Sequence, residues 1–139
     1  MDEGEWLAEV RRWVRYAQED LAGAELLLRN PGIAQRNTCF LAQQAAEKAV
    51  KAIFVWLQVD FPFIHDLGTL RDGLPPGWRV RDEQIDLSGL ADWAVEGRYP
   101  GDVREGTPAD AERALGQARA VLESVLEDLT SRGFRTEDG

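Results

Sequence analysis

The chain has 139 residues, 44% of them apolar and 29% charged, which is the balance of a folded domain rather than a disordered segment. Its formal net charge is -9, so the molecule as a whole repels long nucleic acids, although a local basic patch can still hold a nucleotide. One cysteine and one histidine exclude an internal disulfide and leave too few ligands for a structural zinc site, so the sequence predicts no metal and no cofactor.

The first two elements are predicted to be long helices, over residues 4–29 and 33–57. Apolar residues recur in both at steps of three and four, the period of a helix with one buried face. Asn30-Pro31-Gly32 separates them, because proline removes a backbone donor and restricts the residue before it. The two helices have matched lengths and a tight turn between them, so we expect them to pack antiparallel.

The next elements are shorter, and the pattern predicts helices over residues 66–74 and 82–96. Pro75-Pro76-Gly77 separates these two segments and stops the first of them. Together they are predicted to form one split leg of the fold.

The last long helix has the clearest start signal in the chain. Thr107-Pro108-Ala109-Asp110 supplies a capping threonine, a proline in the first turn and an acid at the third position. This helix is predicted to end near residue 131, followed by a frayed tail over 132–139. The sequence therefore predicts a single all-α domain with its core at about 5–131, folded as a four-helix up-and-down bundle.

Location and assembly follow from two further features. No apolar run approaches the ~18 residues of a membrane span, and the acidic start MDEGEW is unlike a secretion signal, so we expect a cytoplasmic protein. The first helix carries a wider apolar face than one seam requires, which predicts a homodimer. The surplus residues are Trp6, Leu7, Trp13 and Val14.

Four short strings of residues, taken in order, resemble a known family. They are Ala17-Gln18-Glu19-Asp20-Leu21 followed by Ala24, the stretch CFLAQQAAEKAVKA at 39–52, His65-Asp66-Leu67, and Arg98-Tyr99-Pro100. The set resembles the HEPN domain family, the "higher eukaryotes and prokaryotes nucleotide-binding" domain, from about Val14 to Leu129. The resemblance implies an up-and-down four-helix bundle that binds nucleotides, often as the substrate-binding partner of a small nucleotidyltransferase. Other members are ribonuclease toxins of toxin–antitoxin pairs.

The nuclease signature of that family is missing from this sequence. It consists of an arginine, four to six residues and a histidine, and the only histidine here is His65. The positions that would need arginine hold Gln58, Val59 and Asp60, and no histidine follows Arg98. The sequence therefore predicts no catalytic residue.

The predicted site binds a phosphate-bearing small molecule without cleaving it. Its ligand-binding residues are Lys51, His65, Arg98 and Tyr99, and the residues that hold them in place are Asp20, Glu47 and Lys48. Lysine neutralises phosphate charge, arginine fixes its orientation and tyrosine contacts base or sugar. Whether these residues meet depends on the split leg. Arg98 returns to the end of the bundle where Lys51 lies only if the two short helices run back and forth.

Each of these residues also has a purely structural interpretation. Lys51 pairs either with Glu47 on its own helix or, if half-buried, with Asp20 on the first helix. His65 is otherwise a cap or loop anchor, and Arg98 with Tyr99 a packing clamp. Cys39 is predicted to be a buried apolar side chain. Two other functions thus remain open: a metal-independent ribonuclease that uses His65 with Arg98, and a dimerising bundle without a ligand.

Overall fold

The computed structural model describes residues 2–61, 66–94, 101 and 104–136. In chain order the elements are α1 (Glu3–Leu28), α2 (Gln35–Trp56), α3 (Leu67–Asp72), α4 (Arg79–Asp82), one turn of 3-10 helix (Leu90–Trp93) and α5 (Pro108–Ser131). These described ranges contain no strand, and none of their helices combines the length and apolar content needed to cross a membrane. The predicted all-α class is confirmed.

The three long helices form the body of the bundle, and α2 contacts α1, α3, α5 and the 3-10 turn. Trp6 near the start of α1 donates from its ring nitrogen to the Val55 carbonyl near the end of α2, at 2.9 Å, so these two helices run antiparallel. The alanines of α2 have no exposed surface and let the neighbouring backbones approach closely. They are Ala42, Ala45, Ala46, Ala49 and Ala52.

The fourth leg doubles back on itself. Its first part, α3, begins beside the 3-10 turn, since Asp66 lines one groove with Asp92. The part that follows runs from the end of α5 back towards its beginning. Arg79 binds Asp128, in the last turns of α5, through its backbone and its guanidinium at 2.7 and 2.8 Å. Ser88 then accepts from Gln117 in the middle of α5, and Asp92 meets Arg104 just before α5 at 4.0 Å. Of the two courses left open by the sequence, the leg takes the one that runs back and forth, α3 in one direction and the chain from α4 to the 3-10 turn in the other.

The predicted helix over residues 82–96 is wrong over its described part, 82–94, and the described leg has three short helical segments rather than two. α4 ends at Asp82, and Gln84 and Gly89 adopt left-handed backbone angles, with φ of 47° and 80°. Asp86 accepts from the backbone and hydroxyl of Ser88, at 2.9 and 2.6 Å, which offers the chain a turn in place of a helix. Only Leu90–Trp93 keeps helical form, as a single 3-10 turn.

The predicted frayed tail is also wrong for the residues directly after α5. Gly133, with φ of 100°, and Phe134 close the helix through bonds to the carbonyls of Thr130 and Leu129, both at 3.0 Å. Phe134 is 1% exposed and packs edge-on against Trp56 at 6.1 Å between ring centroids. The core therefore extends past the predicted boundary at residue 131.

The surplus apolar face of α1 is used within the chain. The rings of Trp6 and Trp56 lie 4.8 Å apart, and Trp13 meets Phe61 edge-on at 5.5 Å. Val14 is 2% exposed. These contacts cover part of the wide face within the chain, while Trp6, Leu7 and Trp13 stay partly exposed, and the homodimer remains a prediction.

Candidate functional site

The only two lysines of the chain lie three residues apart on α2 and face α1. Lys48 donates to the Asp20 carboxylate across the helix pair at 2.5 Å. Lys51 lies 3.6 Å from Glu47 on its own helix, and this contact is longer than a hydrogen bond. The alternative that paired Lys51 with Asp20 is therefore wrong, because the antiparallel register places Asp20 beside Lys48, one turn earlier.

Aromatic rings surround both ammonium groups. Lys51 lies 4.9 Å from the ring centroid of Phe61 and 5.9 Å from that of Trp13, while Lys48 lies 6.0 Å from that of Tyr16. Such distances allow cation–π attraction. We call these five residues the lysine seam. Because the Lys51 side chain is 20% exposed and has no carboxylate oxygen within hydrogen-bonding distance among the described residues, it is the cation that can donate to an incoming anion.

A pair of glutamines precedes the lysines on α2 and was missed by sequence reasoning. Gln43 has no exposed surface, and its side-chain oxygen accepts from Gln44 at 2.6 Å. Its amide nitrogen has no acceptor among the residues that the structure describes. An unpaired buried donor costs ~1–3 kcal/mol, and because the side chain has no exposed surface this cost falls on the core rather than on a ligand contact. Two polar residues within an alanine-rich stretch were the available signal.

Three of the four predicted ligand-binding residues, His65, Arg98 and Tyr99, lie outside the described residues. The residues that flank them are described. Asp66, which follows His65, lines a groove of about 430 Å³ together with Ala91 and Asp92 of the 3-10 turn. The structure thus brings the flank of His65 close to the segment that leads into Arg98.

The described wall of this groove is acidic. The Thr69 hydroxyl, which donates to Asp66 at 2.6 Å, lowers the pKa of that carboxyl, and the Ser88 hydroxyl does the same for the pKa of Asp86. Both are therefore ionised at neutral pH, and a phosphate in this groove requires a cation outside the described residues. Arg71, the arginine in the groove wall, donates to the Ile85 carbonyl at 2.7 Å.

Cys39, as predicted, is a buried core residue. It has no exposed surface, and burial, followed by the negative charge of Asp110, raises the pKa of its thiol to about 11. A thiol in this state is a poor nucleophile at neutral pH. Among the described residues no group of three or more histidine, cysteine or acidic side chains is arranged to hold a metal ion.

Comparison of the chain with known protein families and solved structures identifies the class to which this helical bundle belongs. The model of the HEPN domain family matches residues 10–129, most of the chain, and the chain belongs to this family. It is similar to the protein TT1696 from Thermus thermophilus, known from a crystal structure, with 29% sequence identity and a TM-score of 0.72. That alignment covers 86% of this chain and 98% of the other. Among curated proteins none matches.

Proposed function

We propose that this HEPN protein binds a nucleotide or another phosphate-bearing small molecule without cleaving it. It acts as a substrate-binding subunit or partner of a small nucleotidyltransferase. The observation that carries the proposal is the position of Lys51, a half-buried cation between the rings of Phe61 and Trp13. An ammonium group between aromatic walls offers charge to a phosphate and a surface to a base.

The proposed site extends from Lys51 to residues on either side of the described part of the fourth leg. Lys51 contacts Phe61, and Asp66 lies in one groove with Ala91 and Asp92. His65 is next to Asp66 in the sequence, and Arg98 follows Asp92 by six positions. These neighbours support a site that joins His65 to Arg98 and Tyr99, and Phe61, four positions before His65, is the residue that connects Lys51 with it.

The sequence lacks the arginine on which cleavage by the family's nuclease members depends. The family's nuclease members need arginine at a position that here holds Gln58, Val59 or Asp60. Amide, apolar and acidic side chains do not replace a guanidinium that stabilises phosphate charge. A ribonuclease would therefore have to use His65 and Arg98 in another arrangement.

The test is calorimetric titration of the full chain with the four ribonucleoside triphosphates, paired with thermal unfolding. We expect Lys51→Gln and Arg98→Ala each to weaken binding about tenfold or more, because each removes a charge-assisted contact. The melting temperature should stay within a few degrees. Chromatography after incubation should recover the nucleotide intact.

Lys48→Gln is the matched control, since it removes the same charge three residues away. It should bind nucleotide more tightly than Lys51→Gln but unfold at a lower temperature, because Lys48 holds Asp20. A wild-type chain that binds none of the four nucleotides, or that hydrolyses them, contradicts the proposal. An Arg98 variant that binds normally but unfolds much earlier makes that residue a structural clamp.

A further inference from the structure

A second groove, of about 560 Å³, lies between α1 and the segment that follows α5. Three arginines line it within two turns of α1: Arg11, Arg12 and Arg15. None of the described residues that line it is acidic. In a chain with a net charge of -9, the groove thus brings three positive charges together. We call it the arginine groove.

The far wall of the arginine groove is held in a defined position. Arg11 donates from Nε to the carbonyl oxygen of Arg135 at 3.1 Å, which ties the segment after α5 to α1. Phe134 is buried against Trp56 and, with Val14, forms an apolar floor. A groove with such an anchored wall is present before a ligand arrives, so little free energy is lost in ordering it on binding.

Two of the arginines keep N–H groups that are available to bind an anion. Arg12 forms an ion pair with Glu9 through one terminal nitrogen, which leaves the other N–H groups of the guanidinium. Arg15 lies 3.8 Å from Glu19, longer than a hydrogen bond. Their side chains are 51% and 63% exposed, so the contact with an anion requires little additional desolvation. Guanidinium groups match phosphate oxygens through pairs of parallel bonds.

We propose that the arginine groove binds the phosphate groups of a small oligophosphate ligand, as a second anion site beside the lysine seam. At 100° per residue, Arg11 and Arg15 lie roughly 140–180° around α1 from Trp13 and Asp20, which face α2, and Arg12 lies roughly 80–100° from them. The two sites meet at Tyr16, whose ring centroid lies 5.3 Å from the Arg15 guanidinium. The volume lies within the about 300–1,000 Å³ typical of small-molecule sites. The net charge of the chain disfavours a long nucleic acid strand.

Inorganic triphosphate is the probe, titrated by calorimetry at low salt into the full chain carrying Lys51→Gln, so that Lys51 does not contribute. We expect binding that weakens as salt is added, because the charged groups are exposed. Arg12→Gln combined with Arg15→Gln should weaken it about tenfold or more. ATP in a parallel titration tells whether free triphosphate or a nucleotide is preferred.

The matched control removes two charges elsewhere, with Arg29→Gln and Arg81→Gln, and should leave the affinity within about twofold. Equal weakening in the control, or no binding of either probe, overturns the proposal. A ten-nucleotide RNA strand that binds with the same arginine dependence while triphosphate does not would overturn the small-ligand assignment. Because the paired chains differ only at Arg12 and Arg15, the loss they show is assigned to the arginine groove, whereas the proposed nucleotide site has its own test in the loss caused by Lys51→Gln.

Discussion

The two lysines of α2 differ in role because their neighbours on α1 differ. Lys48 and Asp20 form an interhelical pair whose side chains are 26% and 20% exposed. Within the described part of the chain, the neighbours of the Lys51 ammonium group are Glu47 on its own helix and the rings of Trp13 and Phe61. A half-buried pair in direct contact orders two helices, whereas a cation held by rings keeps its donors for a ligand. This difference underlies the contrast between the variants proposed above.

Lys48→Gln is expected to lower the free energy of unfolding by about 1–2 kcal/mol, because it leaves a half-buried carboxylate without its donor. The melting temperature should then fall by roughly 3–10 °C. Asp20→Asn should have a similar effect, and the double variant should lose less than the sum of the two. Chemical denaturation of all four chains measures the coupling. Additive losses would mean that the pair contributes nothing to the contact between α1 and α2.

Sequence reasoning placed both lysines on the right helix but left the partner of Lys51 open. Periodicity defines which residues share a face of one helix, and this was enough to predict that Asp20 and the lysines lie near the seam. The register between two helices is set by how closely their small residues pack, and no period of a single helix contains that information. Gln43 was missed for the same reason, since its burial depends on what covers α2.

At the scale of elements, the long helices were predictable because caps and periodicity agree. Thr107 and Asp110 exchange backbone and side-chain bonds at 3.1 and 3.0 Å, which is the capping box that the sequence indicated. The short elements were not predictable in the same way. Leu87, Leu90 and Ala91 suggest a helical face, but the turn at Asp86 and the left-handed Gly89 decide the local backbone.

The anchoring of the tail gives a prediction for α5. Phe134→Ala is expected to lower the free energy of unfolding by about 3–5 kcal/mol, because it removes a fully buried ring and leaves a cavity beside Trp56. Thr136→Ala, an exposed position two residues later, is the control and should change it by less than about 0.5 kcal/mol. Denaturant titration measures both. Equal, small losses would mean that the tail is not part of the core.

At the scale of the whole molecule, the course of the fourth leg determines where the candidate site residues can meet. Arg104 lies over the ring of Trp93 at 4.3 Å and bridges to Asp110, near the beginning of α5. Lys51 lies near the end of α2 instead. The sequence predicted four legs from three long apolar seams and could not predict this course, because it depends on contacts such as Arg79 with Asp128 between distant parts of the chain.

The homodimer remains a prediction. The apolar surface that stays exposed after folding suggests where the two copies would meet. An open groove of about 500 Å³ at the end of the α1–α2 pair is lined by Trp6, Val55 and Phe61, and Val59 at its edge is 54% exposed. We expect a homodimer through this groove, with light scattering at micromolar concentration giving twice the chain mass. Two copies of charge -9 repel each other, so the dimer fraction should rise with salt. Val59→Asp should give the monomer, whereas Leu26→Asp, 61% exposed near the other end of α1, should not. A monomeric wild-type chain at high salt contradicts the dimer, and dissociation by the Leu26 variant alone contradicts its location.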